Sequence, residues 1–379
     1  MEYKEYELGE LLYYEQPTPY IVESTDYNDA YETPVLTAGK SFILGYTDEK
    51  EGIYDQLPVI IFDDFTTASQ YVNFKFKVKS SAMKILTPVT ELVLPKYIYY
   101  RIQIIQFDHS THKRYWIQQY SKIRVSIPPI PEQECIVARI EELFSQLDAG
   151  VETLKKTKAQ LAVYRQAVLK EAFEGDYPRK QLKEFSKAIS GFAFKSSRYS
   201  PDGNYVVVKI GNVKERHFDF SRDLTKTLEA DDSILEKYLL RRGDCLITLT
   251  GSRGKRDYGF VAMVGNQNNY LLNQRVAALR FDQSVALPEF FQYYLASPSY
   301  RGMFFGYETG NVGQGNVGIK ALLDPYVILP DIDTQKRIVE DVEDRLSVCD
   351  SIEQTVDTAL QQAEAMRQSI LKDAFEGRL

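Results

Sequence analysis

Basic and amide side chains that could contact a nucleic acid are concentrated in three short segments of the second half of the chain. Arginine suits phosphates and guanine edges, whereas asparagine and glutamine carry the donor and acceptor pair that matches adenine. The segments are a glycine-rich loop, a polar tripeptide and a second glycine-rich loop. They supply the candidate DNA-binding residues Ser252, Arg253, Lys255, Arg256, Tyr258, Asn273, Gln274, Arg275, Asn311, Gln314 and Asn316. An ordinary surface hairpin is the alternative interpretation of the Arg253 loop.

An alternating segment in the first half of the chain carries three lysines. Lys75, Lys77 and Lys79 share one face of a predicted strand, with Asn73 beside them, because side chains alternate along a strand. A row of this kind could reach phosphates. The polar loop before it adds the candidate residues Thr66, Thr67, Ser69, Gln70 and Tyr71. Lysines also protect exposed sheet edges from pairing, and this alternative remains open.

Catalytic and metal-binding patterns are not found in the sequence. His109 and His112 lack a nearby second pair of ligands, so we predict no metal site. The segment 313–318 reads Gly-x-Gly-x-x-Gly, but no βαβ unit surrounds it, which argues against a dinucleotide site. A Walker A sequence, paired catalytic carboxylates and a nucleophile elbow are also missing. We therefore predict no catalytic residues in this chain.

The cellular location follows from simple sequence features. The amino terminus does not resemble a signal peptide, and the apolar runs are far too short to span a bilayer. The three cysteines are odd in number and form no Cys-x-x-Cys pair, which is typical of a reducing compartment. These features predict a cytoplasmic protein.

Positive charge is segregated along the chain, although the net charge is −7. Residues 1–64 carry a net charge of −12, whereas residues 65–126 carry +8 and residues 176–328 carry +5. Clustered positive charge is expected on a surface that meets a phosphate backbone. Random scatter of lysines over solvated strands is the simpler explanation of the block 65–126.

A duplicated segment indicates which elements must position these side chains. Residues 127–175 align without a gap on residues 329–377, and both copies end in Leu-Lys-x-Ala-Phe-Glu-Gly. Apolar residues recur every seventh position in both, which predicts two long coiled-coil helices of roughly 60 Å each. The residues expected to mediate helix pairing and partner docking are Ile140, Leu147, Leu154, Leu161, Val168 and Phe173 in the first copy, and Val342, Ile352, Val356, Met366, Ile370 and Phe375 in the second.

The repeat divides the chain into four parts: a globular domain at 1–126, a helical repeat at 127–175, a second globular domain at 176–328 and a second helical repeat at 329–379. Strand signals dominate both globular parts, with fewer helical segments, which predicts α+β domains on one common fold. Antiparallel pairing of the helices would place one domain at each end of a rod with pseudo-two-fold symmetry. A structural rod without a ligand is the alternative.

These features together resemble the specificity subunit of type I restriction-modification enzymes. The resemblance rests on the Pro-x-x-x-Gln start of the repeat at Pro129–Gln133, on the Ala-Phe-Glu-Gly endings, and on the Ser-Gly-Phe opening at Ser190. The stretch Gly243–Ile247, followed by Gly251, is also similar. The first domain departs from this pattern, because it lacks the Ser-Gly opening.

The resemblance implies two target-recognition domains, each of which reads one half of a split site in double-stranded DNA. It adds Lys195 and Ser196, at the end of the Ser-Gly-Phe opening, to the candidate DNA-binding residues. It further implies that the helices set the spacing and dock two methyltransferase subunits, which restriction subunits then join. S-adenosylmethionine, ATP and magnesium would belong to those partners, and this chain would hold no cofactor.

Two other functions are compatible with parts of the sequence. A self-contained DNA methyltransferase would need a cofactor glycine motif and an Asn/Asp-Pro-Pro-aromatic tetrapeptide, of which Asp324-Pro325-Tyr326 is only a fragment. A coiled-coil scaffold would bind protein rather than DNA. Assaying the chain alone with labelled S-adenosylmethionine would test the first, and salt-dependent binding to duplex DNA would argue against the second.

Overall fold

A computed structural model describes residues 3–39, 41–107, 114–227, 231–311 and 313–379. The chain forms two compact units. The amino-terminal unit comprises Met1–Lys155 and Asp357–Leu379, and the central unit comprises Lys156–Val356. Each unit therefore contains one globular region and part of each helical repeat. The predicted four-part division of the chain at 126, 175 and 328 stays a prediction.

The globular region of the amino-terminal unit is built on three small sheets. Its strands are β1 Lys4–Glu7, β2 Leu12–Glu15, β3 Thr33–Leu36, β4 Ile43–Thr47, β5 Val59–Asp63, β6 Ser69–Val72, β7 Lys77–Val78, β8 Met83–Pro88 and β9 Arg124–Ile127. The largest sheet has the strand order β2-β8-β5-β6, and all neighbouring strands in it are antiparallel. A second sheet has the order β4-β3-β7, and β1 pairs with β9. Helices span Leu8–Leu11 and Pro95–Gln103.

The globular region of the central unit has the corresponding sheets. Its strands are β10 Arg179–Gln181, β11 Ser186–Ser190, β12 Tyr205–Val208, β13 Lys226–Thr227, β14 Cys245–Thr248, β15 Thr250–Ser252, β16 Val261–Met263, β17 Tyr270–Leu272, β18 Val276–Phe281, β19 Gln314–Asn316 and β20 Tyr326–Ile328. The largest sheet has the order β11-β18-β14-β16, the second has β13-β12-β17, and β10 pairs with β20. Helices span Asp232–Tyr238, Pro288–Ala296, Pro298–Gly306 and Ile319–Leu323.

The two globular regions share one topology. Each has a four-stranded antiparallel sheet, a three-stranded sheet with one parallel pair, and a two-stranded pair that joins its first strand to its last. The α+β prediction is therefore confirmed. One feature has no counterpart in the amino-terminal unit as described: the pairing of β15 with β19 in the central unit.

Two long helices follow the globular regions. The first long helix spans Ile130–Ala172, and the second long helix spans Ile332–Phe375. Long as they are, neither these nor any other helix in the described part of the chain is apolar enough to cross a membrane.

Within each unit, the two long helices run antiparallel. In the amino-terminal unit Arg367 forms an ion pair with Asp148, and in the central unit Arg165 approaches Asp350 to 2.5 Å. The repeat alignment equates Arg165 with Arg367 and Asp148 with Asp350, so one contact is made twice with the roles of the helices exchanged. The prediction of antiparallel pairing is confirmed within each unit.

The apolar pattern of the helices is only partly as predicted. Ile140, Val168, Val342 and Val356 are buried, but Ile352 and Met366 remain exposed. The second buried row instead contains Phe144 and Leu346, which lie four residues, rather than three, after Ile140 and Val342. The prediction of helix pairing was therefore wrong for Ile352 and Met366. Leu169 and Leu371, which directly follow Val168 and Ile370, are buried as well. Leu147, Leu154 and Ile370 are half-buried, and Leu161 is buried.

A buried glutamine fixes the start of each long helix. The side chain of Gln133 accepts a hydrogen bond from the Leu94 amide (2.8 Å) and donates to the carbonyls of Leu92 (3.1 Å) and Pro128 (2.8 Å). Its repeat equivalent, Gln335, makes the same three kinds of contact with Leu287, Val285 and Pro330. Because Leu94 and Leu287 each precede a short helix, each glutamine joins a long helix to its globular region.

The repeated Ala-Phe-Glu-Gly ending has an equally specific role. The Phe173 ring packs edge-on against Phe290 with 5.4 Å between centroids, and the Phe375 ring packs edge-on against Tyr97 at 5.2 Å. Edge-to-face pairs of this kind add to the free energy gained by burying the rings. Each phenylalanine therefore attaches the end of one long helix to the globular region that precedes the other.

Replacement of Gln133 by alanine is expected to lower the free energy of unfolding of the amino-terminal unit by about 3 kcal/mol. The substitution leaves one buried donor and two buried acceptors without their partner, and each such group costs about 1–3 kcal/mol when water cannot replace the bond. Urea unfolding followed by the fluorescence of Trp116, the one tryptophan of the chain, measures this change. Gln361→Ala, on an exposed position of the second long helix, is the control and should change stability little.

Candidate nucleic-acid interface

The short β15–β19 pair brings two of the predicted DNA-binding loops together. Thr250 is paired with Asn316, Gly251 with Gly315 and Ser252 with Gln314. The Thr250 hydroxyl also donates to Oδ1 of Asn316 at 3.1 Å. Loops that are about 60 residues apart in sequence therefore form one surface of the central unit.

Gly251 and Gly315 face each other in this pair, and side chains packed against them leave no space for a Cβ at either position. A Cβ on Gly315 would lie 2.3 Å from Oε1 of Glu308 and 2.6 Å from the Tyr258 hydroxyl. Tyr258 donates to the Glu308 carboxylate at 2.5 Å, and burial together with this bond raises the pKa of Tyr258 well above its usual range. Tyr258 is fully buried, so it supports the loops from below. Its predicted role as a direct DNA contact is not compatible with this position.

The arginines of the Arg253 loop have different environments. Arg253 donates to the Gly310 carbonyl at 3.1 Å and lies 3.7 Å from Glu308, yet half its side chain is exposed. Arg256 has a backbone φ of +51° and stacks over the Phe305 ring at 5.1 Å. Ser252 is half-buried and Lys255 is exposed. Arg253 and Lys255 are thus the basic groups of this loop that are most available to a ligand.

Arg301 holds the same loop in place and was not predicted from the sequence. Its guanidinium donates to the carbonyls of Gly259 (2.7 Å), Tyr258 (3.2 Å) and Arg256 (3.3 Å). Burial lowers the pKa of Arg301, and its guanidinium lies 5.8 Å from the Phe260 ring centre and 5.1 Å from the Phe305 ring centre, within the range of cation–π attraction. Nothing in the local sequence distinguishes Arg301 from a solvated helix arginine.

The third predicted segment, Asn273–Arg275, lies beside this pair of loops. The carbonyl of Arg275 accepts from the Leu249 amide at 2.9 Å, and Arg275 has a backbone φ of +69°, which is rare for a residue with a side chain. Asn273 is half-buried, and Gln274 and Arg275 are exposed. Within the described part of the chain, no carboxylate pairs with the Arg275 guanidinium.

The three segments form a polar cleft of about 410 Å³. It is lined by Thr250, Arg275, Gly310, Asn311, Gln314 and Asn316. One guanidinium and three amides converge on a single opening, which is the donor and acceptor set needed to contact base edges and phosphates. The structure therefore joins residues from all three predicted segments at one site.

The Ser-Gly opening of this domain supports the same cleft. Gly191 packs so closely on the backbone that a Cβ there would lie 1.8 Å from the carbonyl oxygen of Asn273. The next residue, Phe192, accepts from the Gln274 amide at 2.9 Å. Glycine is thus required at position 191, because the backbone there is in direct contact with the backbone of Asn273. Lys195 and Ser196 are exposed in the turn that follows.

The hairpin between β5 and β6 is the corresponding loop of the amino-terminal unit. Oδ1 of Asp63 accepts from the amides of Phe65 (2.9 Å) and Thr66 (2.8 Å), and Thr67 has a φ of +58°. Thr66 is exposed, whereas Ser69 is buried and accepts from Nε2 of Gln103 at 2.7 Å. Gln70 and Tyr71 are half-buried. Of the polar loop predicted to contact DNA, the turn around Thr66 is the most accessible part.

The predicted row of three lysines does not form. Lys77 is buried, 2.6 Å from a Glu49 carboxylate oxygen and 2.7 Å from the Glu51 carbonyl, because its short strand pairs in parallel with β3 inside the domain. Lys75 and Lys79 remain exposed, as does Asn73. The prediction of a phosphate-facing row was wrong for Lys77, since the alternating strand covers only Lys77–Val78.

Equivalent backbone hydrogen bonds reveal a site in the first domain that the sequence did not indicate. The Lys79 amide donates to Leu36 at 3.0 Å just as the Asn273 amide donates to Val208 at 3.2 Å. The Asp64 amide donates to Ala82 at 3.1 Å just as the Leu249 amide donates to Arg275 at 2.9 Å. The segment 79–82 therefore occupies the place of Asn273–Arg275. It adds Ser80 and Ser81, both exposed, to the candidate residues.

The remaining predictions about sites concern metals and dinucleotides. His109 and His112 lie outside the described residues. Among the residues that are described, no group of three or more His, Cys, Asp or Glu is arranged to hold a metal ion. The glycine-rich segment after residue 312 contains β19, which pairs antiparallel with β15 instead of opening a helix.

Comparison with known proteins agrees with the resemblance. Residues 174–362 match the family model for the type I restriction modification DNA specificity domain. The chain is 45% identical over 196 residues to the type I restriction enzyme EcoR124I/EcoR124II specificity subunit of Escherichia coli, covering 48% of each chain. It is 29% identical over 279 residues to the EcoKI specificity subunit of E. coli strain K12, covering 69% of this chain and 58% of that one. This chain thus spans about half the length of the curated relatives it matches.

A solved structure with a similar fold covers the whole chain. It comes from work on complex assembly and conformational transition of the type I R-M system, and it matches with a TM-score of 0.71 at 18% identity. The match covers 100% of this chain and 98% of that one. At this identity it supports the fold: two α+β regions combined with two long helices.

Proposed function

We propose that this chain, whose residues 174–362 belong to the type I restriction modification DNA specificity domain family, selects the DNA sequence on which a type I restriction-modification enzyme acts. The observation that carries the proposal is the polar cleft, where Arg275 and the amides of Asn311, Gln314 and Asn316 converge. Arginine with amides is the combination that distinguishes base pairs in the major groove.

Each globular region reads one half of the target in this proposal. The shared topology with different loops supports it, because a common scaffold with divergent surfaces gives different specificities. In the central unit the contacts come from the cleft and the Arg253 loop. In the amino-terminal unit they come from the turn around Thr66, from Lys75 and from the segment 79–82. The target is therefore bipartite and asymmetric.

The long helices set the separation of the half-sites and dock two methyltransferase subunits, which restriction subunits join. The relatives are named as subunits of restriction enzymes, which supports a chain that works with partners. S-adenosylmethionine, ATP and magnesium are held by those partners, and this chain is a non-catalytic cytoplasmic subunit. Incubation of the chain alone with DNA and labelled S-adenosylmethionine should transfer no methyl groups. Transfer by the chain alone would instead identify a self-contained methyltransferase.

Arg275→Ala is expected to weaken binding to the cognate site by about 1–3 kcal/mol, which is roughly 5- to 150-fold. Binding to unrelated DNA should change little, because a base contact matters mainly on the correct sequence. Lys255→Ala is the matched comparison, since an exposed phosphate contact should weaken binding to all sequences alike and reduce the salt slope by about 1. Titrations of both variants on cognate and scrambled duplexes at several salt concentrations measure these effects. An equal loss on both duplexes for Arg275→Ala would contradict its role in reading bases.

A further inference from the structure

A groove in the amino-terminal unit lies between the Pro95–Gln103 helix and the two long helices. Its volume is about 690 Å³, and its walls include Tyr99, Tyr100 and Phe144. Four carboxylates line it, those of Glu141, Asp148, Glu152 and Glu364, against the single guanidinium of Arg367. The groove is therefore aromatic and acidic, and none of its lining residues belongs to the candidate DNA-binding loops.

The central unit contains the equivalent groove, built from repeat-related residues. Arg165, Leu346 and Asp350 take the places of Arg367, Phe144 and Asp148. The tyrosine contact is also duplicated: the Tyr293 hydroxyl lies 3.3 Å from Glu343, and the Tyr100 hydroxyl lies 3.5 Å from Glu141. The two units thus have the same kind of groove, formed by equivalent residues of the repeat.

The groove of the central unit differs in one respect, because it contains an arginine from its own globular region. Arg216 projects from a tight turn closed by the Val213–Phe218 bridge and by a 2.9 Å hydrogen bond from Lys214 to His217. Its guanidinium lies 3.4 Å from Asp350, and three-quarters of the side chain is buried. It also lies near the Tyr293 hydroxyl, where its charge favours the ionised tyrosine and so acts to lower the pKa of that group.

This internal arginine makes the two grooves electrostatically unequal. The groove of the central unit is smaller, at about 430 Å³, and its three lining carboxylates face two guanidiniums, those of Arg165 and Arg216. In the amino-terminal unit, Asp148 and the Tyr100–Glu141 pair have the same arrangement, but no turn from that unit's described residues lines the groove. Lys96 contacts Glu141 without being among the lining residues.

We propose that the groove of the amino-terminal unit is a docking site for an arginine presented on a tight turn of a partner protein. The partner arginine would pair with Asp148 beside Tyr100, as Arg216 pairs with Asp350 near Tyr293. A guanidinium suits the site because it can pair with the carboxylate and lie against aromatic rings at the same time. This inference concerns a surface separate from the DNA-binding cleft and does not depend on the DNA sequence that is read.

A cyclised hairpin peptide that copies Val213–Phe218 tests the proposal on the full-length chain. Isothermal titration is expected to give one peptide per chain. Replacing the peptide arginine by citrulline, which keeps the shape and removes the charge, should weaken binding about tenfold or more, because hydrogen bonds to charged groups are the stronger ones. The protein is identical in the two titrations, so folding cannot explain a difference.

Protein variants then locate the site. Asp148→Asn should abolish the single binding event, whereas Asp350→Asn, at the equivalent position of the central unit, should leave it unchanged. Arg216→Ala should open the second groove and raise the stoichiometry from one peptide to two. Equal binding of the citrulline peptide would overturn the proposal, as would absence of binding or equal loss with Asp350→Asn. DNA binding measured in parallel should be unaffected, which separates this result from any failure of the proposed function.

Discussion

Insertion of seven residues into each long helix is expected to shift the preferred DNA target to a longer spacer while both half-sites keep their sequences. One heptad adds about 10 Å of helix, which corresponds to about three base pairs at 3.4 Å each. Positions after Lys155 and after Asp357 are suitable, because they are equivalent in the repeat and because seven residues preserve the apolar period. At the parental spacing, binding should fall by about 10³-fold, towards the level of non-specific binding.

Selection of bound duplexes from a library with varied spacers measures this shift. A heptad in only one of the two helices is the control, since it misaligns the antiparallel partners and should weaken binding at every spacing. Selection of the parental spacing by the doubly extended chain would show that the helices do not set the distance. A changed half-site sequence would show that they influence recognition itself.

Asp64→Ala is expected to destabilise the amino-terminal unit by about 3–5 kcal/mol. Asp64 and Lys84 are almost completely buried, with the lysine Nζ 3.4 Å from Oδ2 of the aspartate. The other carboxylate oxygen accepts from the Trp116 amide at 2.8 Å. Removal of the carboxylate leaves a buried ammonium and a buried N–H group without partners. The backbone N–H of residue 64 also donates to the Ala82 carbonyl, and alanine keeps this bond, so the expected loss comes from the side chain alone.

The double variant Asp64→Leu with Lys84→Met provides the control. It replaces the ion pair by apolar groups of similar volume, which is often neutral or stabilising, so most of the lost stability should return. Trp116 fluorescence during urea unfolding reports on this region directly. A loss below about 1 kcal/mol for Asp64→Ala would mean that water reaches Lys84, contrary to the burial described above.

The architecture could be predicted from the sequence, because the repeat and its heptads determine which distant parts of the chain must pair. An apolar residue every seventh position requires a partner helix, whatever the surrounding loops do. The position of the second buried row was less well determined, because Phe144 and Leu346 alternate along the helices with charged residues such as Arg165 and Glu353. Local pattern alone then favoured Ile352 and Met366, which are exposed.

The candidate site was predicted in part, and the residues that were wrongly predicted or missed have a common cause. Loops with arginine, glycine and amides were identified by residue type, and the cleft joins three of them. The burial of Lys77 and Tyr258 was missed because it depends on Glu49 and Glu308, which are distant in sequence. Ser80 and Ser81 became candidates only through backbone hydrogen bonds shared between the two folds. Such relations are properties of the tertiary structure and have no local signature.

Sequencing of modified bases in DNA from cells that express this chain with its cognate methyltransferase subunit tests the central claim most directly. The expected result is one asymmetric motif, made of two different half-sites separated by a spacer of fixed length and unspecified sequence. Exchange of the central unit's cleft residues, Arg275 among them, should alter only one of the half-sites. Modification at a symmetric, uninterrupted site, or a pattern that is the same without this chain, would contradict the account.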